Sequence, residues 1–292
     1  MTYLIAVTIL WAFSFSLIGV YLRDVDPWFS VLIRTVLAMV VFLPFTNVMQ
    51  VLVKQQNSKD GLSNRFYTKL MAIGAIQLGL MYGFYYHSFL YLSVPEVLLF
   101  TIMTPLYVTL FNDVLDKTFH PRFFVAALLA VLGALTIRFD NINSDFLFGL
   151  LLVQCANICF AFGQVAYKRL MPSRSVISQH KVFGFFYIGA FVLALILYSI
   201  FGNVERLPTT MTQWGILLYL GVVASGLGYF GWNRGATEVN VGTLAAMNNL
   251  LIPAGILVNV LIWNREADVT RLMIGAGIIM LALWISTKVK LK

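Results

Sequence analysis

Apolar residues in this chain do not alternate with polar ones but continue in long blocks. Such runs cover 3–22, 28–53, 70–92, 96–112, 123–137, 146–167, 182–204, 211–233, 239–264 and 272–287, and Arg34 is the only cation inside any of them. About 20 consecutive apolar residues span a hydrocarbon core of about 30 Å as a helix. The pattern therefore predicts an all-α polytopic membrane protein with ten transmembrane helices. The polar stretches Lys54–Lys69 and Lys168–Lys181 are loop-sized, which leaves no length for a separate soluble domain.

A repeat refines this. A shift of 146 residues aligns Trp11–Arg23 with Asn157–Arg169, and a shift of 148 aligns Thr104-Pro105 with Ile252-Pro253. The short runs near Phe123 and Leu272 also match, so 123–137 reads as a span rather than a buried helix. The expected organisation is two five-helix units, 1–140 and 141–292. With five crossings each they must face opposite ways across the bilayer, an inverted repeat of the kind secondary transporters use for alternating access.

Composition agrees: 60% of residues are hydrophobic and only 11% charged, far from the roughly 25% charged of a soluble domain. The net charge of +8 comes from cations that punctuate the apolar runs. It predicts a membrane-surface role and no nucleic-acid partner. Fourteen of the twenty Lys and Arg fall on the two termini and the loops after the second, fourth, sixth and eighth runs; five fall on the other loops, and Arg34 is the twentieth. This asymmetry places both termini in the cytoplasm. No basic segment precedes Tyr3–Leu22, so it reads as a retained first span and not a cleaved leader. Cys155 and Cys159 lie one helical turn apart, where a crosslink would constrain nothing.

Leu10-Trp11-Ala12-Phe13-Ser14-Phe15-Ser16, the proline-centred runs around Pro105 and Pro253, and Glu266 closing the ninth run resemble the paired EamA repeats of the drug/metabolite transporter superfamily. Within it, Ile9–Ser16, Gln77–Tyr82, Leu98–Tyr107, Tyr167–Met171 and Gly221–Asn249 are similar to its proteobacterial biotin-transporter branch. In the first repeat Asp116-Lys117 stands near the place of the usual glutamate, which makes Glu266 a helix-end feature. The resemblance implies an inner-membrane secondary transporter for uptake of biotin or a close analogue, with no cofactor. The alternative within the superfamily is an exporter or importer of amino acids or other small metabolites.

A pocket for biotin needs neutral donors and acceptors for the ureido ring, aromatic walls, and one end that tolerates a carboxylate. Polar groups at bilayer depth are costly and hence candidates. Asn248 and Asn249 precede Pro253, which frees a backbone carbonyl one turn earlier. Thr101 and Thr104 flank Pro105 in the same way. Gln77, Met81, Tyr85 and Ser88 share one helical face, flanked by Tyr82 and Tyr86. Ser225, Tyr229, Trp232 and Asn233 share another, and Trp11 and its repeat partner Asn157 lie mid-span. Each has a competing reading as interhelical glue or interface anchor. Arg34 either pairs with the substrate carboxylate or snorkels to the interface. His87 and Glu96 are candidates for proton coupling, although Glu96 also suits the first turn of a helix.

Two motifs bear on other classes of protein. Asn112-Asp113-Val114-Leu115-Asp116 spells the N-D-x-x-D pattern of intramembrane prenyltransferases, but His120 occupies the next aspartate position and no second aspartate-rich motif follows. No magnesium-binding cluster, and so no metal, is expected. There is no phosphate-binding G-x-x-x-x-G-K-[ST] run either, so transport is not powered by ATP held on this chain.

Overall fold

A computed structural model describes residues 1–46, 64–118, 144–171 and 178–263, with scattered positions between 270 and 281. Eight continuous helices fall within the described segments: α1 (Thr2–Tyr21), α2 (Pro27–Phe42), α3 (64–88), α4 (Val94–Asp116), α5 (Ser144–Leu170), α6 (Gln179–Phe201), α7 (Met211–Glu238) and α8 (Val241–Trp263). Among the described residues, six helices are long and apolar enough to cross a bilayer. The protein is an all-α polytopic membrane protein. The expected run 123–137 and Glu266 lie outside the described residues, as does most of 272–287.

Helix starts follow local chemistry. The Asp26 side chain accepts the Phe29 N–H at 2.7 Å and Pro27 opens α2, so one orphan donor is met and another is absent. At α4, Ser93 and Glu96 form a capping box ahead of Pro95; Thr210 and Gln213 do the same for α7. The end of α4 is a left-handed Lys117 (φ 55°), with the Thr118 N–H reaching the Asp113 carbonyl at 2.9 Å, a Schellman-type stop.

Three helices are irregular where a cavity will be found. In α3 residues Ala75–Leu80 are π-helical, and in α7 Tyr219–Leu227 are. The sequence Gly79-Leu80-x-Tyr82 recurs 147 residues later as Gly226-Leu227-x-Tyr229, so both widenings end at the same motif. In α4, Thr101–Met103 tighten to a 3-10 turn ahead of Pro105.

Close contacts fix the packing. α6 lies against α2 and α3, α1 against α7 and α8, and α5 against α3 and α4. α3 and α6 touch through two glycines: a methyl on Gly74 would lie 1.9 Å from the Phe186 carbonyl oxygen, and one on Gly189 equally close to that of Met71. Small residues of this kind let helices in lipid approach to backbone contact. Arg169 bonds Asp116, Lys168 bonds the Ala236 carbonyl, and Gly235 abuts Leu4. The start of α1 and the ends of α4, α5 and α7 therefore share one end of the bundle, here end A. Arg23 bonds the Phe89 and Leu92 carbonyls, and Asp26 bonds Arg206. The ends of α1 and α3 and the start of α2 thus share the opposite end B.

Candidate substrate cavity

A cavity of about 80 Å³ opens between α1, α3, α5 and α7. Its aromatic walls are Trp11 and Phe15 on α1, Tyr82 and Tyr85 on α3, Phe160 on α5 and Tyr229 on α7. Trp11 lies 5.1 Å from Tyr229 and 5.8 Å from Phe160 between ring centroids, and Tyr82 lies 5.7 Å from Tyr229. Tilted and edge-on rings at such spacings form rigid apolar walls with polar tips.

The irregular helices explain how these side chains are held. The π-helical stretch of α7 displaces backbone carbonyls from their usual partners. Trp11 Nε1 donates to the Ala224 carbonyl at 2.8 Å, and the Tyr187 hydroxyl donates to those of Ser225 (2.9 Å) and Gly226 (2.5 Å). In α4, Pro105 has no N–H for the Thr101 carbonyl, which instead accepts the Thr104 N–H and, at 2.7 Å, the Thr104 hydroxyl. That rearrangement leaves the Phe100 carbonyl to Asn157 Nδ2, 3.0 Å away. Asn157 is thereby fixed in the cavity wall, and its Nδ2 also reaches Gln154 Oε1 at 3.2 Å.

Arg34 is the charge of the site. It is 2% exposed, so the snorkelling expected as one alternative does not occur. Its Nε donates to the Ser225 hydroxyl at 3.0 Å, one Nη to the Tyr86 hydroxyl at 3.1 Å and the other to the Tyr82 hydroxyl. Its Cζ also lies 3.9 Å from the Tyr82 ring centroid, a cation–π contact. The Tyr82 and Ser225 hydroxyls are themselves 2.9 Å apart. Every hydrogen-bond partner of this guanidinium among the described residues is therefore a neutral hydroxyl, and the positive charge faces the cavity uncompensated.

The structure brings Trp11, Arg34, Tyr82, Tyr85, Thr101, Asn157 and Tyr229 into one cavity. The other expected site residues stand elsewhere. Gln77 and Trp232, both fully buried, and Asn248, 4% exposed, belong to an amide layer on the end-A side. Gln77 Nε2 donates to Asn233 Oδ1 at 3.2 Å; Gln164 Oε1 accepts from Trp232 Nε1 and Asn248 Nδ2, both at 3.2 Å. Trp232 is neither an interface anchor nor part of the wall, because it stacks behind Trp11 at 5.0 Å. Asn249 does not line the cavity, and its Oδ1 is buried without a partner among the described residues. Thr104 is occupied by the carbonyl that Pro105 frees. Glu96 caps α4, and His87 Nδ1 donates to the Gly83 carbonyl of its own helix at 2.7 Å.

Ser14, Phe15, Ile18, Phe160 and Leu251 line the cavity without having been singled out. Helical spacing was the available signal: Ser14, Phe15 and Ile18 follow Trp11 by three, four and seven residues, and Phe160 follows Asn157 by three. The N-D-x-x-D segment has a structural use. Arg169 ties Asn112 Oδ1 (2.9 Å) and Asp116 (2.7 Å) to the end of α5.

Comparison with known proteins places this geometry. The model of the EamA-like transporter family matches residues 1–139 and again 147–288. A probable biotin transporter of Pseudomonas aeruginosa is 49% identical over 288 residues, covering 98% of this chain and 97% of that protein. The biotin transporter of Salmonella typhimurium is 49% identical over 290 residues (99% of this chain, 93% of the relative). That of Escherichia coli K12 is 48% identical with the same coverage. A protein crystal structure superposes with a TM-score of 0.66 at 17% identity, over 98% of this chain and 95% of its own, and supports the fold alone.

Proposed function

The chain belongs to the EamA-like transporter family, and on that premise we propose that it is a secondary transporter of the bacterial inner membrane that takes up biotin by alternating access. It acts as a carrier and not as an enzyme, with end A and both termini in the cytoplasm. The near-half identity to biotin transporters over almost the whole chain supports the substrate. The single observation in this chain that carries the reading is Arg34, a buried cation held by three hydroxyls and open to an aromatic cavity.

Biotin suits that arrangement part by part. The valerate carboxylate supplies the anion that Arg34 lacks, and the bicycle lies among Trp11, Phe160 and Tyr229. Asn157 and Thr101 are neutral polar groups on the wall for the ureido ring; the Thr101 hydroxyl donates to the Val97 carbonyl at 2.8 Å and so offers the ring an acceptor. An arginine at this depth keeps its charge, so the cavity is built for an anion and penalises a cation.

Two features support alternating access between units 1–140 and 141–292. The contacts that define the two ends make α1 and α3 run from end A to end B, and α5 and α7 from B to A, as an inverted repeat requires. The amide layer on the end-A side, which this reading makes the cytoplasmic seal of the cavity, leaves Gln77 Oε1 and Asn233 Nδ2 without partners among the described residues. A seal with spare donors and acceptors can exchange partners when it opens.

Inward movement of the biotin anion opposes a negative-inside potential by about 2.3 kcal/mol per 100 mV, so uptake is sustained by proton symport or by trapping of the product. The test is uptake of labelled biotin at nanomolar concentration by cells lacking their own importer, with and without this chain. Saturable uptake dependent on the chain supports the proposal. No uptake, together with altered amino-acid efflux, would overturn it in favour of a metabolite exporter.

A further inference from the structure

Three tyrosines, at 82, 85 and 86, fall within five residues of α3, a rise of about 6 Å. Two of them, Tyr82 and Tyr86, accept from Arg34 through their hydroxyl oxygens. Tyr85 does not. Its ring is wedged edge-on against Phe15 at 5.3 Å and Phe89 at 5.1 Å, it lines the cavity, and it is only 9% exposed. Its hydroxyl is buried and has no hydrogen-bond partner among the described residues. A hydroxyl desolvated in this way is a standing free-energy cost unless something entering the cavity meets it.

We infer that the Tyr85 hydroxyl is the second donor for the substrate's carboxylate, beside Arg34, and that this pair selects a free acid over its neutral derivatives. The inference rests on the reading of the cavity as a biotin site and assigns one end of the substrate within it.

Proton counting on Arg34 supports the pairing. A guanidinium has five N–H protons, of which three are directed to Ser225, Tyr86 and Tyr82. Two remain. A carboxylate that used only these would have to find the rest of its hydrogen bonds elsewhere, and Tyr85 is the tyrosine of the wall whose hydroxyl has no partner among the described residues. One carboxylate oxygen then accepts from Arg34 and the other from Tyr85. The wall groups Trp11, Ala156, Asn157 and Phe160 are left to the ring system.

The substitution that isolates this hydroxyl is Tyr85→Phe, which keeps the ring and its packing. Because the group bonds nothing in the free protein, the thermal stability of the unliganded variant in detergent should equal or slightly exceed that of the wild type. Affinity for biotin should fall by about ten- to a hundredfold, the loss typical of a hydrogen bond to a charged group. Biotin methyl ester, which presents no carboxylate, should compete equally well against both proteins. Unchanged biotin affinity would overturn the inference. So would an equal loss for acid and ester, which would assign the hydroxyl to another part of the substrate, or a drop in unliganded stability, which would mean an internal role. A wild type that takes up no biotin would instead defeat the reading of the cavity itself.

Discussion

The Nε of Arg34 on α2 lies 3.0 Å from the hydroxyl of Ser225, inside the π-helical stretch of α7. One residue earlier in that stretch, the Ala224 carbonyl takes the Trp11 indole N–H. The widening of α7 therefore does two things at once. It aims the charge of the cavity, and it anchors its largest wall residue.

Replacing Ser225 by alanine removes the hydroxyl shared by Arg34 and Tyr82 without changing the backbone. The guanidinium keeps its bonds to Tyr82 and Tyr86 but loses its tether to α7. A lost hydrogen bond of this kind is worth about 1 kcal/mol, so KM for biotin should rise by about fivefold at unchanged membrane abundance. Concentration-dependent uptake at matched expression measures it.

Trp11→Phe preserves an aromatic wall but leaves the Ala224 carbonyl without its side-chain donor. A buried carbonyl deprived of its partner costs about 1–3 kcal/mol. Thermal unfolding of the purified protein should shift down, and biotin transport should fall with it.

Gly163 faces Gln77 so closely that a methyl there would lie 2.1 Å from the Gln77 Cβ. This part of Gln77 cannot swing away, because its Cβ is fixed to α3. Gly163→Ala should destabilise the protein by about 1–3 kcal/mol, as overpacking does, and loosen the end-A seal formed by Gln77 and Asn233. A melting temperature equal to the wild type would show that α3 and α5 can separate at no cost.

The orientation is checked with single cysteines in a background lacking Cys155 and Cys159. Asn64 is exposed at the start of α3, at end A, and Met211, 88% exposed, starts α7 at end B. A cysteine at 211 should react with an impermeant reagent added outside intact cells, and one at 64 only after permeabilisation. The reverse pattern would invert the proposed topology.

Much of the architecture was legible in the sequence because apolar blocks of span length carry it directly: all eight described helices lie on expected runs, although α2 stops at Phe42 with a 3-10 turn to Phe45, well short of 53, and α3 starts at 64, six residues before its run. Arg34, Trp11 and Asn157 were legible for a related reason, since polar or amphipathic groups at mid-span are costly and few. Helical periodicity identifies which residues share a face, but not how deep a neighbour's backbone lies. Gln77 continues the face of Met81 and Tyr85, yet it falls in the amide layer on the end-A side because Gly163 brings α5 against it there. Thr104 was misleading for a backbone reason: the proline that marks the helix as irregular also creates the carbonyl that consumes the threonine hydroxyl. The π-helical stretches that orient Ser225 and Trp11 have no polarity signature; the recurrence of Gly-Leu-x-Tyr at their ends is their one trace in the sequence.

The central claim is that Arg34 receives the substrate's carboxylate, and competition of labelled biotin uptake by biotin and by biotin methyl ester, in the wild type and in Arg34→Lys, tests it most directly. Lysine keeps the charge but loses the planar fork that holds Ser225, Tyr82 and Tyr86 together. The account predicts that the wild type favours the acid and that this advantage shrinks by about tenfold or more in the lysine variant, at normal expression. An acid-to-ester ratio unchanged by the substitution would contradict it.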